Sequence, residues 1–209
     1  MTDPHHQRLT RMVGHNPKRL EKIVDDILDV ARIGPADTAL ALQTVRLPTH
    51  VVQICNDWAL QNNCTNRLLC CTWAHQALVR FDFDHLQRVL VNLLDNAARY
   101  ATALPAAIQV YLDGFLPGSG SLVLRVWSDG APMEQSVERH LFEPFFSSES
   151  RSSGLGLYIC RELCDRHGAS ITYQRSARLT RGSQVEGNEF VLTLRLAPTL
   201  PVSPGLSSS

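Results

Sequence analysis

Two segments of the chain carry side chains suited to binding a nucleotide. Asn92-Leu-Leu-Asp-Asn96-Ala-Ala-Arg99-Tyr100-Ala sets two carboxamides one helical turn apart, with an arginine and a tyrosine close behind. An amide oxygen is a hard, neutral ligand for Mg2+, an ion commonly shared with phosphates. A guanidinium neutralises phosphate charge, and Tyr100 offers a ring on which a base can stack. Further on, Ser153-Gly154-Leu155-Gly156-Leu157 is a glycine pair that opens a helix. Glycine permits unusual dihedrals and close approach to the backbone. The helix that follows presents free N–H groups and the positive end of its dipole to an anion. Each segment also has a plain alternative: a solvated polar stripe of Arg88, Asn92, Asn96 and Arg99, and an ordinary turn. Their order, and the sequence between them, favours a nucleotide site.

Elements must position these groups. Leu86, Val89, Leu90, Leu93 and Ala97 recur at helical spacing from Asp84 to Ala101, behind a cap at Asp82 or Asp84. Gly156 to His167 reads as a helix ending at Gly168, and Leu47-Pro48 begins another that carries Val51, Val52, Cys55, Trp58 and Ala59. Strands are expected at Arg67 to Thr72, Ala77 to Phe81, Ala107 to Leu112, Leu122 to Val126, Ser170 to Arg175 and Glu189 to Leu196. Thr180-Arg-Gly-Ser reads as a loop. The order predicts an α/β fold, a two-layer sandwich of a mixed sheet with helices on one face, preceded by a helical arm. In that arm, residues 1–34, Leu20, Ile23, Val24, Ile27, Val30 and Ala31 form an apolar stripe that calls for a partner helix. Asn16-Pro17 either caps this helix or kinks a longer one. Gly34 to about Thr44 reads as a hinge or short strand, and residues 198–209, rich in Pro, Ser and Gly, as a disordered tail.

Composition narrows the field. The chain has 209 residues, 44% of them hydrophobic, and a formal net charge of +0, which argues against a general nucleic-acid-binding surface. No apolar run approaches the roughly 18 residues that span a bilayer, and no signal peptide is visible, so the chain reads as cytoplasmic without membrane contact of its own. Cys64, Cys70, Cys71 and His75 match no familiar zinc spacing. The six cysteines read as reduced, mostly buried thiols.

From about residue 45 to 197 the chain resembles the ATP-binding domain of sensor histidine kinases, in the superfamily shared with gyrase, heat-shock chaperone and mismatch-repair ATPases. Asn92 through Ala101 is similar to the N box, Phe142-Glu-Pro-Phe-Phe146 to the F box, and Gly154-Leu-Gly-Leu-Tyr-Ile-Cys to the second glycine box. The continuation Arg161-Glu-Leu-Cys is most similar to sensor kinases that control type IV pilus genes. The resemblance implies ATP and Mg2+ as cofactors, with Asn96 as metal ligand and Asn92 supporting it in catalysis. It also implies Arg99 on phosphate, Tyr100 over the adenine, Gly154 and Gly156 letting the lid fold over the phosphates, and Leu155 and Leu157 beside them in the cofactor site. Phe145 and Phe146 would anchor that lid, although apolar packing explains them equally well. Expected partners are a response regulator and the phosphoacceptor helix of the same or a sister chain. The full-length kinase would be a homodimer anchored to the inner membrane.

Two departures stand out. In place of the family's Asp-x-Gly-x-Gly the chain has Ser128-Asp129-Gly130-Ala131-Pro132. Strand phase puts Ser128 where the resemblance implies an adenine-binding aspartate, and Asp129 at the variable position. A shifted loop placing Asp129 in the pocket is the alternative. A neutral hydrogen bond in place of a charged one would cost about tenfold in affinity. Second, none of the eight histidines sits in a phosphoacceptor context. The arm resembles the second helix of a dimerisation hairpin whose first helix is missing. The position one turn before Asn96, a glutamate in hydrolysing members, is Asn92, and a carboxamide is no general base. The residues thus favour phosphoryl transfer to a histidine supplied from elsewhere. The rival readings are a non-catalytic partner-binding module with a degenerate site and a gyrase-like hydrolase.

Overall fold

The structure, a computed structural model, describes residues 24, 27–28, 44–73, 77–116, 120–146 and 153–197. Of the expected arm only Val24, Ile27 and Leu28 are described, all helical and exposed. The rest of the arm and the tail lie outside the described residues.

A short strand, β1 (Thr44–Arg46), leads into α1 (Leu47–Gln61), where Pro48 in the first turn costs no helical hydrogen bond. Leu47, Val51, Ile54, Cys55 and Trp58 of α1 are buried. After β2 (Leu68–Thr72) and β3 (Leu78–Arg80) comes the long helix α2 (Phe83–Tyr100). Asp82 caps it, its carboxylate accepting the His85 N–H at 2.9 Å. Leu86, Val89, Leu90, Leu93 and Ala97 are buried along one face of α2, as their spacing predicts. Two strands, β4 (Ile108–Leu116) and β5 (Ser121–Ser128), precede the short α3 (Gln135–Arg139). Then α4 (Gly156–Arg166) leads to β6 (Ser170–Thr180) and β7 (Ser183–Arg195). Gly168, at φ +63°, turns the chain out of α4.

The main sheet has the order β2-β4-β5-β7-β6, with β2 parallel to β4 and every other pair antiparallel. β1 and β3 form a separate antiparallel pair, joined to the main sheet by a bridge from Val79 to Leu196. The buried faces of α1, α2 and α4 share one apolar core with Ile108, Val110, Leu124, Val126, Leu192 and Leu194 of the sheet. The architecture is the expected two-layer α/β sandwich.

The last two strands are longer than the apolar pattern indicates. Thr180 to Ser183 is not an open loop but a two-residue hairpin turn, with Arg181 at φ +51° and Gly182 at φ +78°. The reason lies on the face away from the helices. There Glu189, its side chain 1% exposed, accepts from Arg178, from Arg125 at 3.2 Å and from Gln174 at 2.5 Å. Arg125 also donates to Asp113 at 2.5 Å, and Arg178 lies 4.4 Å from the Tyr111 ring centroid. A polar network therefore takes the place of an apolar alternation. Burial on its own would raise the Glu189 carboxyl; the hydrogen bonds from Arg178 and Gln174 and the two guanidinium charges outweigh it and hold the carboxyl below its ordinary range.

Candidate nucleotide site

α2 and the start of α4 bring the two motifs of the sequence together. The Asn92 amide nitrogen lies 3.5 Å from the Gly156 carbonyl oxygen across 64 positions of chain. A Cβ at Gly156 would stand 3.7 Å from the Asn92 carboxamide, so the turn runs directly against the Asn92 side chain. One turn on, the half-buried Asn96 carboxamide makes no hydrogen bond among the described residues. An unengaged amide oxygen at this place fits a hard cation such as Mg2+. Arg99 and Tyr100 end the same helix, both exposed, with Tyr100 at 39%. The carboxylate between the two asparagines is committed elsewhere: Asp95 accepts the Trp58 indole N–H at 2.9 Å and ties α2 to α1.

Gly154 holds the base of the segment expected to form the lid. Its φ is +67°, and a Cβ there would meet the Phe145 carbonyl carbon at 2.7 Å and the Phe146 nitrogen at 2.9 Å. The backbone of Phe145, not its ring, makes this contact, since the ring is 73% exposed. Phe142 is the aromatic side chain that locks the segment inward, its ring edge-on to Phe190 at 6.4 Å. Leu155 is buried and Leu157 packs on the core, so both fix the glycine turn to the domain. The Leu155 N–H donates to the Ser153 hydroxyl at 3.3 Å.

The departed glycine box lies at the end of β5. Ser128 shares the inward face with Leu122, Leu124 and Val126, all buried. Its hydroxyl makes no hydrogen bond among the described residues. Asp129 faces the other way. Its carboxylate accepts the Thr102 N–H at 2.9 Å and the Thr102 hydroxyl at 2.6 Å, with the Arg181 guanidinium 3.6 Å away. Gly130 passes so close to Tyr100 that a Cβ would stand 2.9 Å from the Tyr100 carbonyl oxygen.

Sequence reasoning missed Asn188. It is 4% exposed on β7, directly opposite Ser128. Its Nδ2 donates to the Ala131 carbonyl at 2.9 Å, while its Oδ1 accepts from the Tyr173 hydroxyl at 2.7 Å and from Arg175 at 3.0 Å. Arg175 also donates to the Gly130 carbonyl at 3.1 Å. Asn188 and Arg175 together pin the Gly130–Ala131 turn to the sheet. The one signal in the sequence was an asparagine standing directly before the apolar inward phase of Phe190, Leu192 and Leu194.

The chain thus combines a mixed sheet backed on one side by helices with an asparagine, Asn92, set against the glycine turn that opens α4. A sequence profile of the family described as histidine kinase-, DNA gyrase B-, and HSP90-like ATPase matches residues 81–198, and the chain belongs to that family. Sensor protein kinase PilS of Pseudomonas aeruginosa is 31% identical over 169 residues, covering 80% of this chain and 31% of PilS. Sensor protein KdpD of Escherichia coli is 28% identical over 171 residues, covering 80% of this chain and 18% of KdpD. The chain thus spans less than a third of the length of these relatives. In fold it is similar to full-length ShkA in complex with AMPPNP, with TM-score 0.70 and 20% identity over 95% of this chain and 40% of that one. The catalytic domain of histidine kinase ThkA is similar with TM-score 0.58 and 22% identity over 73% of this chain and 94% of that domain. Among the described residues no helix is long and apolar enough to cross a membrane.

Proposed function

We propose that this chain is the ATP-binding catalytic portion of a sensor histidine kinase and phosphorylates a histidine outside this chain for relay to a response regulator. The observation that carries the reading is the meeting of Asn92 with Gly156, beside an Asn96 carboxamide that has no protein partner among the described residues. Asn96 would hold Mg2+, which neutralises charge on the phosphates when bound. Arg99 would reach the phosphates and Tyr100 would cover the base. Gly154 and Gly156 would let the lid fold over the phosphates while Leu155 and Leu157 hold the turn in place, and Ser128 and Gly130 would line the base pocket. Asp129 supports the site from behind through Thr102. Asn92 is neutral and the neighbouring Asp95 accepts from Trp58, so neither side chain is suited to act as the general base of a hydrolase. Catalysis by positioning and charge stabilisation suits a site of this kind. The parent protein, on this reading, is a homodimer anchored to the inner membrane, with this domain in the cytoplasm.

Titration calorimetry with an ATP analogue tests the site. Binding that requires Mg2+ and is lost in Asn96→Ala supports it, and phosphorylation of a supplied acceptor-helix protein supports the kinase reading. Vigorous phosphate release without an acceptor, abolished by Asn96→Ala, would revive the hydrolase. A second reading, the non-catalytic partner-binding module, rests on Ser128 and Pro132 in the glycine box. A folded protein whose melting temperature is unmoved by nucleotide favours it.

A further inference from the structure

We infer that the base pocket does not discriminate adenine from guanine, so that the chain accepts GTP as well as ATP; this rests on the nucleotide-site reading above. Ser128, Asn188 and Arg175 are register partners across β5, β7 and β6, a single row pointing to the helix side of the sheet beside the Gly130 turn. A carboxylate in such a row is an acceptor only. It takes the adenine amino group and repels the O6 carbonyl of guanine, so it separates the two purines. No acceptor-only group serves here. Asp129, next along the chain, has its side chain 2% exposed and held by Thr102 and Arg181, and Glu138, whose charge reaches Tyr173, is exposed on α3.

What the row offers instead is donor-rich. Both lone-pair directions of Asn188 Oδ1 are taken by Tyr173 and Arg175, and one Nδ2 hydrogen goes to Ala131. One amide N–H remains. Arg175 has no carboxylate partner among the described residues and brings positive charge to the turn. The Ser128 hydroxyl is unengaged among the described residues and both donates and accepts. It can take the amino group of adenine or give its proton to the carbonyl of guanine. The Tyr100 ring stacks on either purine, since stacking is indifferent to edge chemistry. A site rejects a ligand strongly only where the mismatch leaves a buried polar group unpaired, and a rotating hydroxyl avoids that for both bases.

The test is calorimetry of the whole chain with Mg2+ and the imido analogues of ATP and GTP. Dissociation constants within about tenfold of each other are expected. Ser128→Asp should then move the ratio at least tenfold toward the ATP analogue, while Ser128→Ala weakens both by a similar factor and leaves the ratio in place. Thermal melts show whether each variant is folded, and the alanine variant keeps the comparison available should the aspartate not fold. Binding of the ATP analogue more than a hundredfold tighter than the GTP analogue overturns this inference and leaves the nucleotide site standing. A ratio unmoved in folded Ser128→Asp overturns the role of Ser128. Binding of neither analogue removes the inference together with the proposed function.

Discussion

Asp129 grips Thr102 with both carboxylate oxygens, one on the backbone N–H at 2.9 Å and the other on the hydroxyl at 2.6 Å. The bond ties the end of β5 to the chain just past α2, the helix that carries both asparagines. Asp129→Ala removes these contacts and leaves Arg181, among the described residues, with the Pro105 carbonyl alone. A stability loss of about 2 kcal/mol is expected from urea unfolding, with nucleotide affinity reduced less than in Asn96→Ala. Loss of affinity equal to that of Asn96→Ala, with stability intact, would instead make Asp129 a ligand.

Gly154 and Gly120 share nearly the same backbone angle, φ +67° and +61°, in different surroundings. A Cβ at Gly154 runs into the Phe145–Phe146 backbone, whereas nothing lies within 4 Å at Gly120. Alanine at Gly120 should cost about 1 kcal/mol of strain and leave nucleotide binding untouched. Alanine at Gly154 should cost more and weaken the ATP analogue at least tenfold, because the segment leading to the glycine turn must move. Calorimetry and thermal melts on the two variants separate strain from collision.

His167 is buried, with its ring 4.2 Å from Phe81 and its Nε2 2.8 Å from Nδ1 of His85. Burial first, then the His85 charge, lowers its pKa to about 4 from 6.5. The unfolded chain therefore binds a proton at higher pH than the folded one. Stability should be flat above pH 6.5, fall by up to about 3 kcal/mol between pH 6.5 and 4, and level below. Urea titrations across this window check it, and His167→Phe should flatten the profile.

Glu189 is depressed rather than raised, so its contribution is present above pH 4.5 and is lost in more acid solution as the carboxyl protonates. Glu189→Ala leaves Arg178 facing no carboxylate among the described residues and should cost about 3 kcal/mol, with Glu189→Gln costing less. Urea midpoints at neutral pH decide this, and an alanine variant as stable as the parent would show the network to be dispensable.

Much of this was legible in the sequence because the apolar residues carry the phase of their elements. The stripe from Leu86 to Ala97 located α2, and the alternation Leu122, Leu124, Val126 pointed Ser128 inward and Asp129 away from the core. The sequence around residues 176–189 gave no such guide. There Arg178 and Glu189 pair with each other and with Arg125 and Gln174 on the outer face, so polar residues sit where a buried strand would show apolar ones. α3 was missed for a related reason: it buries no residue and leaves no periodic signal. The part played by Asn188 depends on strand register, which single-strand patterns do not encode.

The bridge between Val79 and Leu196 also governs how the domain bears a pull. β1, where the chain enters, and Leu196–Ala197, where it leaves the described domain, both pair with β3: Arg46 opposite Leu78, and the Ala197 N–H on the Leu78 carbonyl at 2.8 Å. Tension through the two ends loads these short ladders ahead of the long β4-β5-β7-β6 zipper. They are expected to serve as a mechanical fuse, yielding first while the row from Ser128 to Arg175 keeps its register.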